Sequence, residues 1–224
     1  MPHTTSSDGA RIHYEVHGAG DPVLLIMGLG SNAYGWHRTI PWLSERYRAI
    51  AFDNRGTGRS EVPEGAYTIA QMADDAAAVL DAAGHDRAHV IGASLGGMIA
   101  QRLAIGHPRR LRSLVLVCTT PGGRHATRAS SEVTAALVQT GEDPSTAYRR
   151  NAWFLYGADT RANHPERIEE DVAARTKIPT GSTNASASRR SSSPSGEHPT
   201  IRTVSLLRMG NSPCGLPEKS KMRI

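Results

Sequence analysis

The sequence predicts an α/β domain built on a mostly parallel sheet with helices on both faces and a helical cap. Three observations carry that reading. Between residues 10 and 120, apolar runs alternate with segments of helical period, the order expected of strands joined by crossover helices. The runs PVLLIM and RAIAFD are continuously apolar, as strands covered on both faces are. A chain of 224 residues can also bury one sizeable core, since burial becomes efficient above roughly 150 residues, but not a second full domain.

The elements follow in order. RIHYEV alternates, with Ile12, Tyr14 and Val16 on one face and His13, Glu15 and His17 on the other, which reads as a half-buried strand near a sheet edge with a solvated histidine face. Two histidines flanking a glutamate could begin a metal site, but no third ligand accompanies them, and no metal is expected. PVLLIM ends at Gly28 and RAIAFD at Asp53, with WHRTIPWLSERY giving a short helix, started or interrupted by Pro41. From Ile69, the positions Met72, Ala73, Ala76, Val79, Leu80 and Ala83 recur at helical spacing, and Gly84 supplies a stop. AHVIG is the next strand, LGGMIAQRLAIG the next helix and LRSLVLVC the strand after it. Past TTPGG the pattern turns helical in SSEVTAALVQTG, PSTAYRRNAWFLYG and PERIEEDVAARTK. The expected organisation is a core over 1–123, a helical cap over 124–179 and a tail over 180–224. The tail holds ten serines, no aspartate and one short apolar run, Val204 to Leu207, too little apolar surface to offset the entropy of ordering it.

Gly92, Ala93, Ser94, Leu95 and Gly96 form G-x-S-x-G after a strand and before a helix. A nucleophile on such a tight turn needs small residues two before and two after it, here Gly92 and Gly96, with Gly97 beside them. The turn lifts the hydroxyl above the sheet, and the helix that starts at Leu95 offers its first N–H as an oxyanion donor. A second donor is expected from the loop LLIMGLGSNAYGW, at the N–H of Leu29 between Gly28 and Gly30. The competing account makes the glycines packing devices and Ser94 a helix N-cap.

The motifs LLIMGLG, FDNRGTGRS, VIGASLGGMIAQ and LVLVCTTPGG, in that order from Ala10 to Gly123, resemble the α/β-hydrolase superfamily. Within it the chain is most similar to the small esterase and enol-lactonase group, whose helical cap follows the sixth strand. The resemblance implies Ser94 as nucleophile, Leu29 and Leu95 as oxyanion donors, and a small ester or lactone as substrate with no cofactor. Met27 stands where that family often has histidine, a change that leaves the backbone donors in place. DNRGTGRS resembles a structural turn of the family, in which Asp53 and Arg55 tie the loop and Gly56 and Gly58 permit its backbone; Asp53 is not assigned to catalysis.

A serine needs a histidine to take its proton and an acid to orient that histidine, and in this fold both follow the nucleophile in sequence. The sixth strand ends in VCTTPGG and offers no acid. The last aspartate, Asp171, lies in a helical segment, and only His198 follows it. His107, His125 and His164 fall on a helix end, a loop and the cap, so no base is assigned. Two expectations arise: a truncated or frame-shifted hydrolase whose family-like sequence stops near Pro179, with the last strands of the sheet absent, or a non-catalytic binder of an apolar small molecule.

Other classes are disfavoured. GLGSNA fits a dinucleotide-binding G-x-G-x-x-A, with Asp53 about 25 residues on, yet Gly35 and Pro41 break the helix that should hold a pyrophosphate. Residues 1–179 carry 19 Lys plus Arg against 19 Asp plus Glu, and 180–224 carry 7 against 2, so the net charge of +5 belongs to the tail. That tail has no aromatic for stacking, which argues against nucleic acid as a partner. Nothing resembles a signal peptide or a spanning helix, so a cytoplasmic protein without membrane contact is expected. Cys118 and Cys214 suit neither a disulfide framework nor a metal site. The sequence sets no oligomeric state.

Overall fold

The computed structural model describes residues 2–176, apart from 123–125, 128 and 140; the tail, with His198 and Cys214, and His125 lie outside the described residues. Among the described residues six strands form one sheet: β1 (His3–Thr5), β2 (Arg11–His17), β3 (Asp21–Ile26), β4 (Tyr47–Phe52), β5 (Ala88–Ala93) and β6 (Leu111–Val117). Their spatial order is β1-β2-β4-β3-β5-β6. β1, β2 and β4 pair antiparallel, whereas β4, β3, β5 and β6 run parallel, so the chain crosses over between each parallel pair.

Strand parity divides the core in two. Leu24, Ile26, Ile50, Phe52 and Val90 point to one face, beneath α2 (Ile69–Ala82) and α3 (Leu95–Gly106). Val23, Leu25, Ala49 and Ala51 point to the other, beneath a 3-10 turn at Ala33–Trp36 and the four-residue helix α1 (Ile40–Leu43). Covering both faces explains why β3 and β4 read as unbroken apolar runs. Fully burying a Leu or Ile side chain is worth about 1.5–3 kcal/mol, and Leu24, Leu25, Ile26 and Ile50, all completely buried, each contribute an amount of that order. α2 starts with a capping box, in which Thr68 Oγ1 accepts the Gln71 N–H at 3.1 Å and the Thr68 N–H donates to Gln71 Oε1 at 3.0 Å. It ends before Gly84, which takes φ +78°, and its buried positions include Met72, Ala73, Ala76, Val79 and Leu80.

One feature departs from expectation. The histidine face of β2 is not solvated throughout: His13 is fully buried, with the His3 ring of β1 edge-on at 5.0 Å, whereas Val16, expected inside, is exposed. Local alternation identifies two faces, but β1 and the loop after β4 decide which positions water reaches. The segment WHRTIPWLSERY gives the short helix expected of it, the four residues of α1, with Pro41 in its first turn. After β6 come α4 (Ser131–Val138), α5 (Pro144–Leu155), α6 (Ala158–Asn163) and α7 (Pro165–Thr176). No helix among the described residues is long and apolar enough to cross a membrane.

Candidate active site

β5 delivers Ser94 to the carboxyl rim of the parallel strands, and α3 starts one residue later. At the bend Ser94 takes φ 54° and ψ −120°, outside the regions that L-residues favour. Backbone contacts hold it there. Its N–H donates to Val117 O at 2.9 Å, and its carbonyl accepts the Gly97 N–H at 2.9 Å and the Thr119 hydroxyl at 2.7 Å. The side chain is exposed and makes no capping bond to the helix, which removes the N-cap account of this serine.

The elbow glycines are needed for close approach. A Cβ on Gly96 would overlap the Ile26 carbonyl at the end of β3. One on Gly92 would lie 2.8 Å from the Ala100 methyl, and one on Gly97 2.5 Å from Thr119 Cβ. Gly28 belongs to the same cluster, since a Cβ there would sit 3.0 Å from Ser94 Cβ and 3.4 Å from its Oγ. The end of β3 is thereby packed against the serine.

That contact brings the loop carrying Leu29 to the elbow. Gly28 to Ser31 form a turn closed by the Ser31 N–H on Gly28 O at 3.3 Å, with Gly30 at φ +66°. Leu29 stands on its crest, 39% exposed. The Leu95 N–H opens α3 and has no carbonyl four residues back to reach. Two residues behind the loop hold it. Asn54 Nδ2 donates to Met27 O at 2.9 Å, a role that sequence reasoning missed because nothing local marks it. Asp53, completely buried, accepts the Ala33 N–H at 2.7 Å and, on its other oxygen, the Arg59 N–H at 2.9 Å and Nε at 3.0 Å. Burial works against the Arg59 charge, yet the Asp53 and Glu15 carboxylates outweigh it and raise its pKa. Arg55 does not join Asp53. It turns inward to Asp75, at 2.6 and 2.7 Å, and to Asp8, at 2.7 and 3.0 Å. With Asp53 enclosed and only a single 3-10 turn after the glycines, the dinucleotide reading loses both its ribose contact and its phosphate helix.

No histidine among the described residues is hydrogen-bonded to Ser94. His107 Nε2 lies 2.7 Å from Asp74 at the far end of α3, about 18 Å along the helix from the serine. His164 faces Glu166 at 3.3 Å. His37 Nε2 faces Asp171 at 3.3 Å while its Nδ1 lies 3.1 Å from Tyr34 O. Sequence reasoning weighed Asp171 only as a missing catalytic acid and gave no sign of this pairing. No cluster of three metal-binding side chains occurs among the described residues.

The profile of the α/β-hydrolase fold matches residues 21–154. A protein of Azorhizobium caulinodans bearing the name carbamate hydrolase RutD is 38% identical over 173 residues, which cover 77% of this chain and 64% of that relative. Among solved structures, a hydrolase from Pseudomonas aeruginosa PA01 is similar with a TM-score of 0.65 at 29% identity, covering 80% of this chain and 67% of the other. Est816, described as an N-acyl homoserine lactone degrading enzyme, has a TM-score of 0.61 at 30% identity, covering 78% of this chain and 65% of its own. The chain thus spans a little under two thirds of the curated relative's length, 64%.

Proposed function

This chain belongs to the α/β-hydrolase fold family, and on that premise we propose that it is a serine hydrolase of a small carboxylic ester or lactone, with Ser94 as nucleophile. One observation carries the reading: a non-glycine residue at φ 54°, held by backbone bonds on both sides, with its hydroxyl turned out of the helix and against Gly28. Strain of that kind costs on the order of 1–3 kcal/mol and persists where the fold gains something by it. Ser94 Oγ adds to the carbonyl carbon, and the resulting oxyanion accepts from the N–H groups of Leu29 and Leu95. Because the Asp53, Asn54 and α3 contacts fix these donors beforehand, no reorganisation accompanies the appearance of charge; loss of one costs about 3–4 kcal/mol. Collapse breaks the acyl C–O bond, the leaving alcohol oxygen takes up the proton that the Ser94 hydroxyl lost, and water then hydrolyses the acyl-serine to the acid and restores the hydroxyl.

The hydroxyl proton requires an acceptor, and none is assigned, since no described histidine is bonded to Ser94. The segment 124–179 is assigned as the cap, with Trp153 to Tyr156 supplying apolar surface toward an acyl group. The degradation of a lactone by Est816 supports the substrate class, and a carbamate offers the same electrophilic carbonyl carbon. Release of p-nitrophenol from p-nitrophenyl acetate by the full chain, compared with Ser94→Ala, tests the proposal. Turnover above buffer that vanishes in the variant is expected; equal turnover in both removes Ser94 from the mechanism. A second reading, a binder of apolar small molecules that does no chemistry, draws on the absence of a histidine at Ser94 among the described residues. An ester that raises Tm without being consumed would favour it.

A further inference from the structure

We propose that Asp171 is a positioning residue, whose hydrogen bond to Arg38 and contact with the His37 ring tie α7 to the loop bearing Leu29, so that one latch sets the seat of the helical segment and the direction of that amide. The catalytic meaning of the latch rests on Leu29 acting as an oxyanion donor; the latch itself does not. α7 packs against the turn at 33–36. Asp171 Oδ1 accepts from Arg38 Nε at 3.1 Å and faces His37 Nε2 at 3.3 Å, and its Oδ2 accepts from the Tyr156 hydroxyl at 2.6 Å. The Tyr156 oxygen lies 2.7 Å from that of Tyr148, so α5 shares the same carboxylate network. His37 is held on both sides: its Nδ1 is 3.1 Å from Tyr34 O and its ring stacks on Tyr34 at 5.6 Å.

From His37 back to Leu29 the chain has no slack. The His37 N–H donates to Tyr34 O at 3.0 Å, the Tyr34 N–H to Asn32 Oδ1 at 2.9 Å, and the Gly35 N–H to Asn32 O at 3.0 Å. The Ala33 N–H is fixed on Asp53, and the Ser31 N–H closes the turn on Gly28. A shift at His37 is therefore passed to the crest of the turn. Exposure separates Asp171 from its neighbour. The Arg38 and Glu170 side chains are 50% and 59% exposed, where an ion pair contributes little, whereas the Asp171 side chain is 19% exposed and serves three partners.

The test reads the Leu29 amide by NMR in the full chain labelled with 15N-leucine, with Leu24 and Leu103 as reporters of the fold. In Asp171→Asn the Leu29 amide signal is expected to move, with Leu24 and Leu103 unchanged. Asp171→Glu, which keeps the carboxylate, should restore the parent signal, and Glu170→Gln should leave it in place. An unmoved Leu29 in folded Asp171→Asn, or an equal response to Glu170→Gln, overturns the proposal. If Asp171→Asn also loses the Leu24 and Leu103 signals, Arg38→Gln is read by the same criteria. The readout needs no turnover: absent esterase activity leaves the latch standing, and a silent Leu29 removes it even where Ser94 hydrolyses esters.

Discussion

Replacing Ser94 with glycine should abolish hydrolysis and yet make the protein more stable. The backbone there sits at φ 54° and ψ −120°, a conformation that glycine adopts freely and serine does not. Relief of that strain is worth about 1–3 kcal/mol. Against it stands the greater freedom of glycine in the unfolded chain, about 0.4–1 kcal/mol. The hydroxyl makes no capping bond, so its removal forfeits none. The balance is a gain of up to roughly 2.6 kcal/mol, centred near 1.3 kcal/mol, which in a chain of this size raises Tm by up to about 10 °C. Ser94→Ala is the control: it removes the hydroxyl and keeps the Cβ that causes the strain, so it should stay near the parent Tm. Calorimetry of the three proteins decides. A Ser94→Gly variant no more stable than Ser94→Ala would show that the elbow stores no strain, and the main argument for a nucleophile at this position would fall with it. Cys118, at φ 47° where β6 ends, should gain in the same way from glycine.

Two further outcomes follow from buried charge. Arg55 and Asp75 side chains are 2% and 1% exposed, so Asp75→Ala leaves a guanidinium enclosed with only Asp8 to balance it and should cost about 3–5 kcal/mol in urea unfolding; a loss below about 1 kcal/mol would mean that water reaches Arg55. Burial pushes the His13 imidazole below its usual 6.5, so below that pH the unfolded chain binds a proton that the folded one refuses. Stability contributed by His13 is complete above pH 6.5 and declines as the pH falls, by at most about 1.4 kcal/mol per unit. His85 and His89 are depressed for the same reason and add to the decline. Tm measured from pH 8 to 5 should therefore fall less steeply in His13→Phe than in the parent, and parallel curves would place His13 in contact with water.

The sequence by itself determined the order and type of the core elements and the elbow. Period-two and continuous apolar patterns record which faces of a strand are covered, and the glycines around Ser94 record a close approach that any side chain would block, as the Ile26 carbonyl beside Gly96 shows. These signals are local, so they survive in one dimension. Tertiary structure alone decided what depends on distant chain segments. His13 lies on what reads as a solvated strand face until β1 and the loop after β4 close over it. Arg55 stands beside Asp53 in sequence but finds Asp75, 20 residues away, while Asp53 goes to Ala33 and Arg59. Asp171 meets Arg38 across 133 positions. A charged side chain takes whichever partner the packed core leaves within its reach, and which partner that is becomes fixed only once the sheet and its helices have assembled.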